Sequence, residues 1–342
     1  MRRLATVRQV SQVLPIEGAD LIELAITDGW QCVIRKGSFL AGDLAIYCEV
    51  DTVLPVLPQY EFLRKGCYVQ RDWLPNGEGF RLRTIRLRNQ ISQGLLLPLT
   101  DTSLEEGMDV SDTLGIIKWE PPLHAGLAGM AKGNFPTFIH KTDQERVQNI
   151  AREVFSDMYQ WVLWEATLKL DGSSCTFYHR DGEVGVCSRN INLKLDQSGN
   201  AYVNMYHELD MGTKLLGMGR NIAIQGELMG PGIQGNREKL PRQQFYCFDV
   251  WDIDNQRYLP KRERDHIIEA TGHCVHDRGL ELVPVLGVGT LGELGCNTLD
   301  NMLRYVDRPS MNHKVAEGVV FKAIDVPYSF KCINNKYLLA ED

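Results

Sequence analysis

The sequence predicts an α+β protein of two successive domains, a small N-terminal β-barrel followed by a mixed α/β domain. Three observations carry this. Residues 1–118 hold a series of short β-prone runs separated by turn residues. Residues 119–133 are rich in Pro, Gly and Ala and read as a linker. From 134 to 342, strand-like and helix-like runs are interspersed, and the total of 342 residues suits two domains.

Composition narrows the class. A hydrophobic content of 44% with 24% charged residues is that of a soluble globular chain, not a disordered one. No apolar run is long enough to span a bilayer. Met1-Arg2-Arg3-Leu4 has basic residues but no apolar core after them, so no signal peptide is expected. The nine cysteines are scattered, with no Cys-x-x-Cys pair. That pattern fits reduced thiols in a cytoplasmic protein better than disulfides or zinc. His273-Cys274-Val275-His276 lacks a second ligand pair at a usable spacing and reads as helix surface.

In the first domain, Leu21–Ile26 and Trp30–Ile34 flank Asp28-Gly29, a hairpin signal. Gly42-Asp43 precedes Leu44–Val50, and Gln93–Pro98 reads as a buried strand ended by proline. Arg81–Arg88 is the informative run. A flat strand would send Arg81 and Arg83 to one face and Arg86 and Arg88 to the other. A bulge near Thr84 would gather all four arginines on one face and put Leu82, Ile85 and Leu87 on the other. An OB-type barrel is the natural candidate for a small barrel with a basic face. Net charge is −7, so any grip on a polyanion must be local. Residues 61–90 supply it, with Arg64, Lys65, Arg71, Arg81, Arg83, Arg86 and Arg88 against Glu61, Asp72 and Glu78. A solvated strand face is still the commoner fate of such a run.

In the second domain, Thr142-Asp143-Gln144-Glu145 fits a capping box opening a helix through Val147, Ile150, Ala151 and Val154. Trp164, Ala166 and Leu168 alternate with Glu165, Thr167 and Lys169, as in a half-buried strand. Cys175–His179 turns at Asp181-Gly182 into Val184–Arg189. A helix over Tyr202–Met218 precedes strands at Asn221–Leu228 and Phe245–Trp251. Helices over Lys261–His276 and Leu299–Val306 precede strands at Gly318–Lys322 and Ser329–Cys332.

Charges recur at the strand ends: Lys169, Arg189, Glu227, Asp249, Glu317 and Lys331. One such charge is usually structural; six of mixed sign are harder to dismiss. Lys169-Leu170-Asp171-Gly172, Gly226-Glu227-Leu228, Phe248-Asp249-Val250, Glu317-Gly318-Val319-Val320 and Lys331 resemble, in order and wide spacing, the nucleotidyltransferase motifs of covalent polynucleotide ligases and capping enzymes. Glu227–Gly235 narrows the resemblance to RNA ligases. A barrel ahead of the catalytic domain resembles the Deinococcus type, with an N-terminal OB domain and a C-terminal nucleotidyltransferase (ATP-grasp-like ligase) domain.

The resemblance implies an ATP-dependent RNA ligase that forms a lysyl-AMP at Lys169, passes the AMP to a 5′-phosphate and seals it to a 3′-hydroxyl, in RNA nick repair. It implies Mg2+ or Mn2+, with Glu227 and Glu317 near ribose and metal, and a lowered Lys169 pKa. Phe248 would stack on adenine, Lys331 would meet the phosphates, and Arg189 the nucleotide or the RNA end. Asp171 and Gly172 would shape the turn that presents Lys169. Relatives often carry Lys-x-Lys in the last motif, whereas this chain has Lys331-Cys332-Ile333. Lys336 either substitutes for the missing lysine or is an ordinary surface residue. Arg81, Arg83, Arg86 and Arg88 would contact the backbone of RNA ends or of a nicked duplex. A monomer with no membrane partner is expected. The competing readings are a capping-type guanylyltransferase, a DNA ligase, or a non-catalytic RNA-binding protein.

Overall fold

The computed structural model describes residues 3–120, 129–272 and 280–340. Most of the linker at 119–133 and all of His273–His276 lie outside them. The described residues form two compact units. One comprises 1–122, 147–155 and 338–342; the other comprises 123–146 and 156–337. The second domain was expected to run unbroken from 134, yet 147–155 groups with the first unit.

The first unit is built of short antiparallel strands. Ala5–Gln9, Leu44–Cys48 and Leu95–Pro98 form one sheet, with Leu44–Cys48 central. Gln12–Pro15, Ile22–Thr27 and Trp30–Arg35 form a meander, turning at Asp28 in the left-handed region. Ile117–Lys118, Thr52–Leu54, Glu78–Arg81 and Tyr68–Gln70 form a third sheet. Among the described residues no ladder joins these sheets into a closed barrel. Two apolar clusters hold the unit, one around Phe80, Leu54 and Val7, the other around Trp30 and Tyr47, whose rings stack at 5.6 Å.

The Arg81–Arg88 run is neither a flat strand nor a bulged one. The strand Glu78–Arg81 ends there, and Thr84–Leu87 pairs instead with Gln90–Gln93 in a two-stranded arm. Leu82 is buried, but Ile85 and Leu87 are exposed, contrary to the expected apolar face. The segment breaks because Leu82 turns inward, its N–H donating to Thr52 and its carbonyl accepting from Asp51. The arm turns at Arg88-Asn89, both left-handed (φ 47° and 64°). Two such residues between paired strands make a type I′ turn, which Asn-Gly suits best. A side chain at Arg88 costs about 1–2 kcal/mol there.

The second unit has two sheets. The larger runs Ala131–Asn134, Ile191–Leu193, Glu183–Cys187, Ser173–Arg180, Ile222–Met229, Gln244–Asp252 and Arg257–Tyr258, with Glu281–Leu282 pairing beside it. The smaller runs Glu145–Arg146, Ser329–Ile333, Gly318–Ala323, Trp164–Lys169 and Val285–Gly289. Helices Ala201–Glu208, Met211–Met218 and Lys261–Gly272 cover the apolar face of the larger sheet. The single helix expected over Tyr202–Met218 is two, broken at left-handed Asp210.

Two other expectations fail for local reasons. Thr142–Glu145 does not cap a helix. Asp143 pairs with Arg189 at 3.0 Å, and Glu145–Arg146 joins Ser329–Ile333 in parallel. Only a 3-10 turn at Val147–Asn149 and one helical turn at Ala151–Val154 follow. Trp164–Lys169 is buried on both faces rather than half-buried. Glu165 tolerates this because Arg264 meets it twice, at 2.8 and 2.9 Å, with Lys261 at 3.0 Å. Among the described residues no helix is long and apolar enough to cross a membrane.

Candidate active site

Lys169 closes the strand Trp164–Lys169, where it sits opposite Gly318. That register brings Glu317 alongside, and Lys169 Nζ donates to Glu317 Oε1 at 2.5 Å. Gly318 has no room for a side chain, since a Cβ would stand 2.3 Å from the Cys332 carbonyl oxygen. The chain then turns through Leu170-Asp171-Gly172. Gly172 N–H donates to Glu227 Oε1 at 3.1 Å, tying the turn to the other sheet. Its own Cβ position is blocked by the Leu228 carbonyl oxygen at 2.5 Å. Glu227 lies opposite Ser174 in the ladder between Ile222–Met229 and Ser173–Arg180.

Phe248 is placed by a bulge. Gln225 pairs with Asp249 and Gly226 with Cys247, so Phe248 is an extra residue with no partner in the ladder. Bulges next to binding sites re-aim one side chain, and this one brings Phe248 to the cavity wall. Lys322 holds the bulge. Its Nζ donates to the Phe248 carbonyl at 2.6 Å and pairs with Asp249 at 2.8 Å.

Lys169, Arg189, Glu227, Phe248, Glu317 and Lys331 thus line one cavity of about 260 Å³. That approaches the usual size of a small-molecule site, roughly 300–1,000 Å³. Leu168, Val283 and Val320 give it an apolar part, while Thr142, Asp143, Ser173 and Ser174 are polar. Lys336 is not part of it. Its side chain is 62% exposed and pairs with Asp307 at 2.7 Å. Ile333, where a second lysine was expected, is buried. Arg81, Arg83, Arg86 and Arg88 belong to the first unit and are divided within it. Arg81 lies over the Trp119 ring at 4.4 Å and 3.5 Å from Asp51, while Arg86 and Arg88 are on the arm.

Sequence reasoning missed Lys322, the Thr142–Gln144 wall and Gln234. Lys322 shares a strand face with Gly318 and Val320, so period-two counting from Glu317-Gly318 was the available signal. Gln234 lines the cavity in the left-handed region (φ 42°), which no local pattern announces.

The electrostatics run against a lowered lysine pKa. Burial alone would lower the pKa of Lys169, but the carboxylates of Glu317, Glu227 and Asp171 outweigh it and the net shift is upward. Burial raises Glu317, against the pull of Lys169 and Lys331. Burial also raises Glu227, to about 8; Lys169 opposes this and Glu317 adds to it. In the free protein Lys169 is therefore a charged ammonium held by Glu317. No group of three metal-ligating side chains occurs among the described residues. Glu227 and Glu317 are hard oxygen donors crowded at one cavity, and they fit a divalent cation that takes its remaining ligands from phosphates and water.

Residues 4–99 match an OB-fold domain family, and residues 162–333 match the family described as RNA ligase. Solved structures of a Naegleria gruberi RNA ligase are similar over nearly the whole chain. The form with PPi is 42% identical, with 99% of this chain and 98% of that one covered and a TM-score of 0.89. A mutant with ATP and Mn is 41% identical, with 98% of each chain covered and a TM-score of 0.89. A further mutant with AMP and Mn is 41% identical, again with 98% of each covered, at 0.88. No curated protein matches. An OB-fold domain placed ahead of an RNA ligase domain is thus matched in family and in structure, and the chain belongs to the RNA ligase family.

Proposed function

We propose that the protein is an ATP-dependent RNA ligase that seals 3′-hydroxyl to 5′-phosphate ends through a lysyl-AMP on Lys169. The observation that carries this is the single cavity where Lys169, Glu227, Glu317, Lys331 and Phe248 meet. ATP and a divalent metal are taken from the Naegleria structures, whose forms contain ATP with Mn and AMP with Mn.

Lys169 must first lose a proton, and Glu317 Oε1, at 2.5 Å and with its own pKa raised, is the group placed to accept it. Lys169 Nζ then attacks the α-phosphorus of ATP. The P–N bond forms, the P–O bond to the β-phosphate breaks, and pyrophosphate leaves. A 5′-phosphate oxygen displaces Lys169 from that phosphorus, giving an adenylylated end. The 3′-hydroxyl attacks the 5′-phosphorus, its proton passes to a base or water, and AMP departs. Splitting the reaction in this way keeps a good leaving group on hand. A divalent cation held by Glu227 and Glu317 would supply charge neutralisation for the phosphates. Lys331 meets the phosphates, Phe248 stacks on the base and Arg189 contacts the nucleotide or the RNA end. In the first unit, Arg81, Arg83, Arg86 and Arg88 meet the phosphodiester backbone, which positions without reading sequence. We further read the protein as a cytoplasmic monomer acting on nicks. Its eight described cysteines are free thiols, which supports a reducing compartment.

The test is incubation with α-labelled ATP and, separately, α-labelled GTP. Labelling by ATP that is abolished in Lys169→Ala, with the variant still folded by circular dichroism, is expected. Labelling by GTP alone would replace this reading with a capping-type guanylyltransferase. Sealing of all-DNA nicks as fast as RNA would replace it with a DNA ligase. No label at all would leave an RNA-binding protein.

A further inference from the structure

Residues 140–146 form a strap between the two sheets of the second unit. At one end the His140 carbonyl accepts from Gln225 Nε2 at 2.8 Å, and Lys141 Nζ donates to Asn190 Oδ1 at 3.0 Å, which fixes that end to the larger sheet. At the other end Glu145 and Arg146 pair with Phe330 and Lys331 of the smaller sheet. Between these anchors Thr142, Asp143 and Gln144 line the catalytic cavity. The anchors are made without the Asp143 side chain, which pairs across the cavity wall with Arg189 at 3.0 Å.

That pair differs from the others at the site. Lys169 holds Glu317 and Lys322 holds Asp249, with no side chain of the four more than 27% exposed. Parting such a pair strands a desolvated charge. Arg189 and Asp143 are 50% and 58% exposed. An ion pair in that setting is weak, because water serves either partner nearly as well. An anion entering the cavity can therefore take Arg189 from Asp143 at small cost, and the carboxylate it displaces stays hydrated.

We propose that Asp143 is a positioning residue that acts as a stand-in anion. It holds Arg189 in the free protein, and a phosphate-bearing ligand must displace it to reach the guanidinium. Asp143 thereby lowers the affinity of the cavity for a nucleoside triphosphate and, by recapturing Arg189, helps anionic products to leave. Adenosine, which has no phosphate, is outside the exchange. This rests on the RNA ligase reading and adds to it a residue that sets how tightly the nucleotide is held.

The experiment measures equilibrium binding of α,β-methylene-ATP with Mg2+, which cannot transfer its nucleotide, and of adenosine. It is done at low ionic strength, where exposed pairs are least screened. The proteins are wild type, Asp143→Asn, Asp143→Ser, Asp143→Glu, Arg189→Gln and the double variant of Asp143→Asn with Arg189→Gln. Thermal unfolding is followed for each, and Asp143→Ser repeats the measurement should Asp143→Asn fold poorly. Asp143→Asn is expected to bind the analogue about two- to five-fold more tightly, the range that an exposed ion pair is worth. Adenosine binding should not change, and Asp143→Glu should behave as wild type. In the Arg189→Gln background, Asp143→Asn should bring no gain. Unchanged or weaker analogue binding in Asp143→Asn would overturn the proposal. So would an equal gain for adenosine, which would mean a reshaped cavity, or a gain that persists without Arg189, which would mean plain repulsion. Absence of labelling of wild type by α-labelled ATP would instead sink the ligase reading, with the binding series still deciding the exchange at Arg189.

Discussion

Four carboxylates and three lysines line the candidate cavity, and burial acts on their ionisation. Glu227 shows it most plainly. Its carboxyl is raised to about 8 in the folded protein, chiefly by burial, while in the unfolded chain it titrates near 4.3. A raised acid is best accommodated when protonated, so its contribution is complete below about pH 4.3 and is lost as pH rises toward 8. Glu227→Gln cannot ionise. Its melting temperature minus that of wild type is expected to climb steadily between pH 5 and pH 8.5 in thermal scans without nucleotide or metal. A difference that stays flat would mean that Glu227 is already ionised at neutral pH. That Lys169, Glu227, Phe248, Glu317 and Lys331 line one cavity was legible because each belongs to a short motif in or beside a strand. Lys336 misled because the one-dimensional spacing to Lys331 ignores where it lands. It sits in the terminal turn Asn335–Leu338, with Asp307 as its partner. The raised lysine was not legible at all. It depends on the register that sets Glu317 148 residues away against Lys169.

At the scale of elements, Trp164–Lys169 is the strand on which the site depends, and an acidic residue is buried within it. The Arg264 guanidinium and Lys261 keep Glu165 ionised and its pKa below the ordinary value against the cost of burial. Removing Glu165 leaves the buried Arg264 guanidinium with Asp265 as its remaining carboxylate, at a cost of about 3 kcal/mol. Glu165→Gln is therefore expected to lower the melting temperature by roughly 6–12 °C. It should leave the ATP affinity of the remaining folded protein near wild type. A change below 2 °C in differential scanning calorimetry would show that the pair is dispensable. The alternation of Trp164, Ala166 and Leu168 pointed to a strand correctly but gave the wrong exposure. Periodicity cannot distinguish a charge facing water from a charge facing Arg264. The break between Arg81 and Thr84 was missed for a related reason, since it is made by Leu82 hydrogen-bonding to Thr52 and Asp51.

For the whole molecule, the order of OB-fold domain and ligase domain was legible from strand density and motif order, but the division of the chain was not. Val147, Ile150, Ala151 and Val154 have helical spacing, and nothing local marks 147–155 as part of the first unit. Its membership is written in distant contacts. Asn149 Oδ1 accepts from Trp30 Nε1 at 2.6 Å and Arg8 Nη2 at 3.1 Å, and its Nδ2 donates to Glu49 Oε1 at 2.7 Å. Asn149→Ala removes these three hydrogen bonds and is expected to cost about 2 kcal/mol. The measurement is urea unfolding followed by circular dichroism. An unchanged midpoint would show that 147–155 is an accessory, not a part, of the unit.

The chain passes between its two units three times before the stretch that begins at Leu338 rejoins the first. On a ribosome, this means that the first unit to be started is the last to be finished. Its Glu49 and Trp30 emerge well before Asn149, and residues beyond Leu338 appear only after the whole catalytic unit. The first unit must therefore wait, partly formed, while the ligase domain is made, and a protein halted anywhere short of that stretch would carry it incomplete.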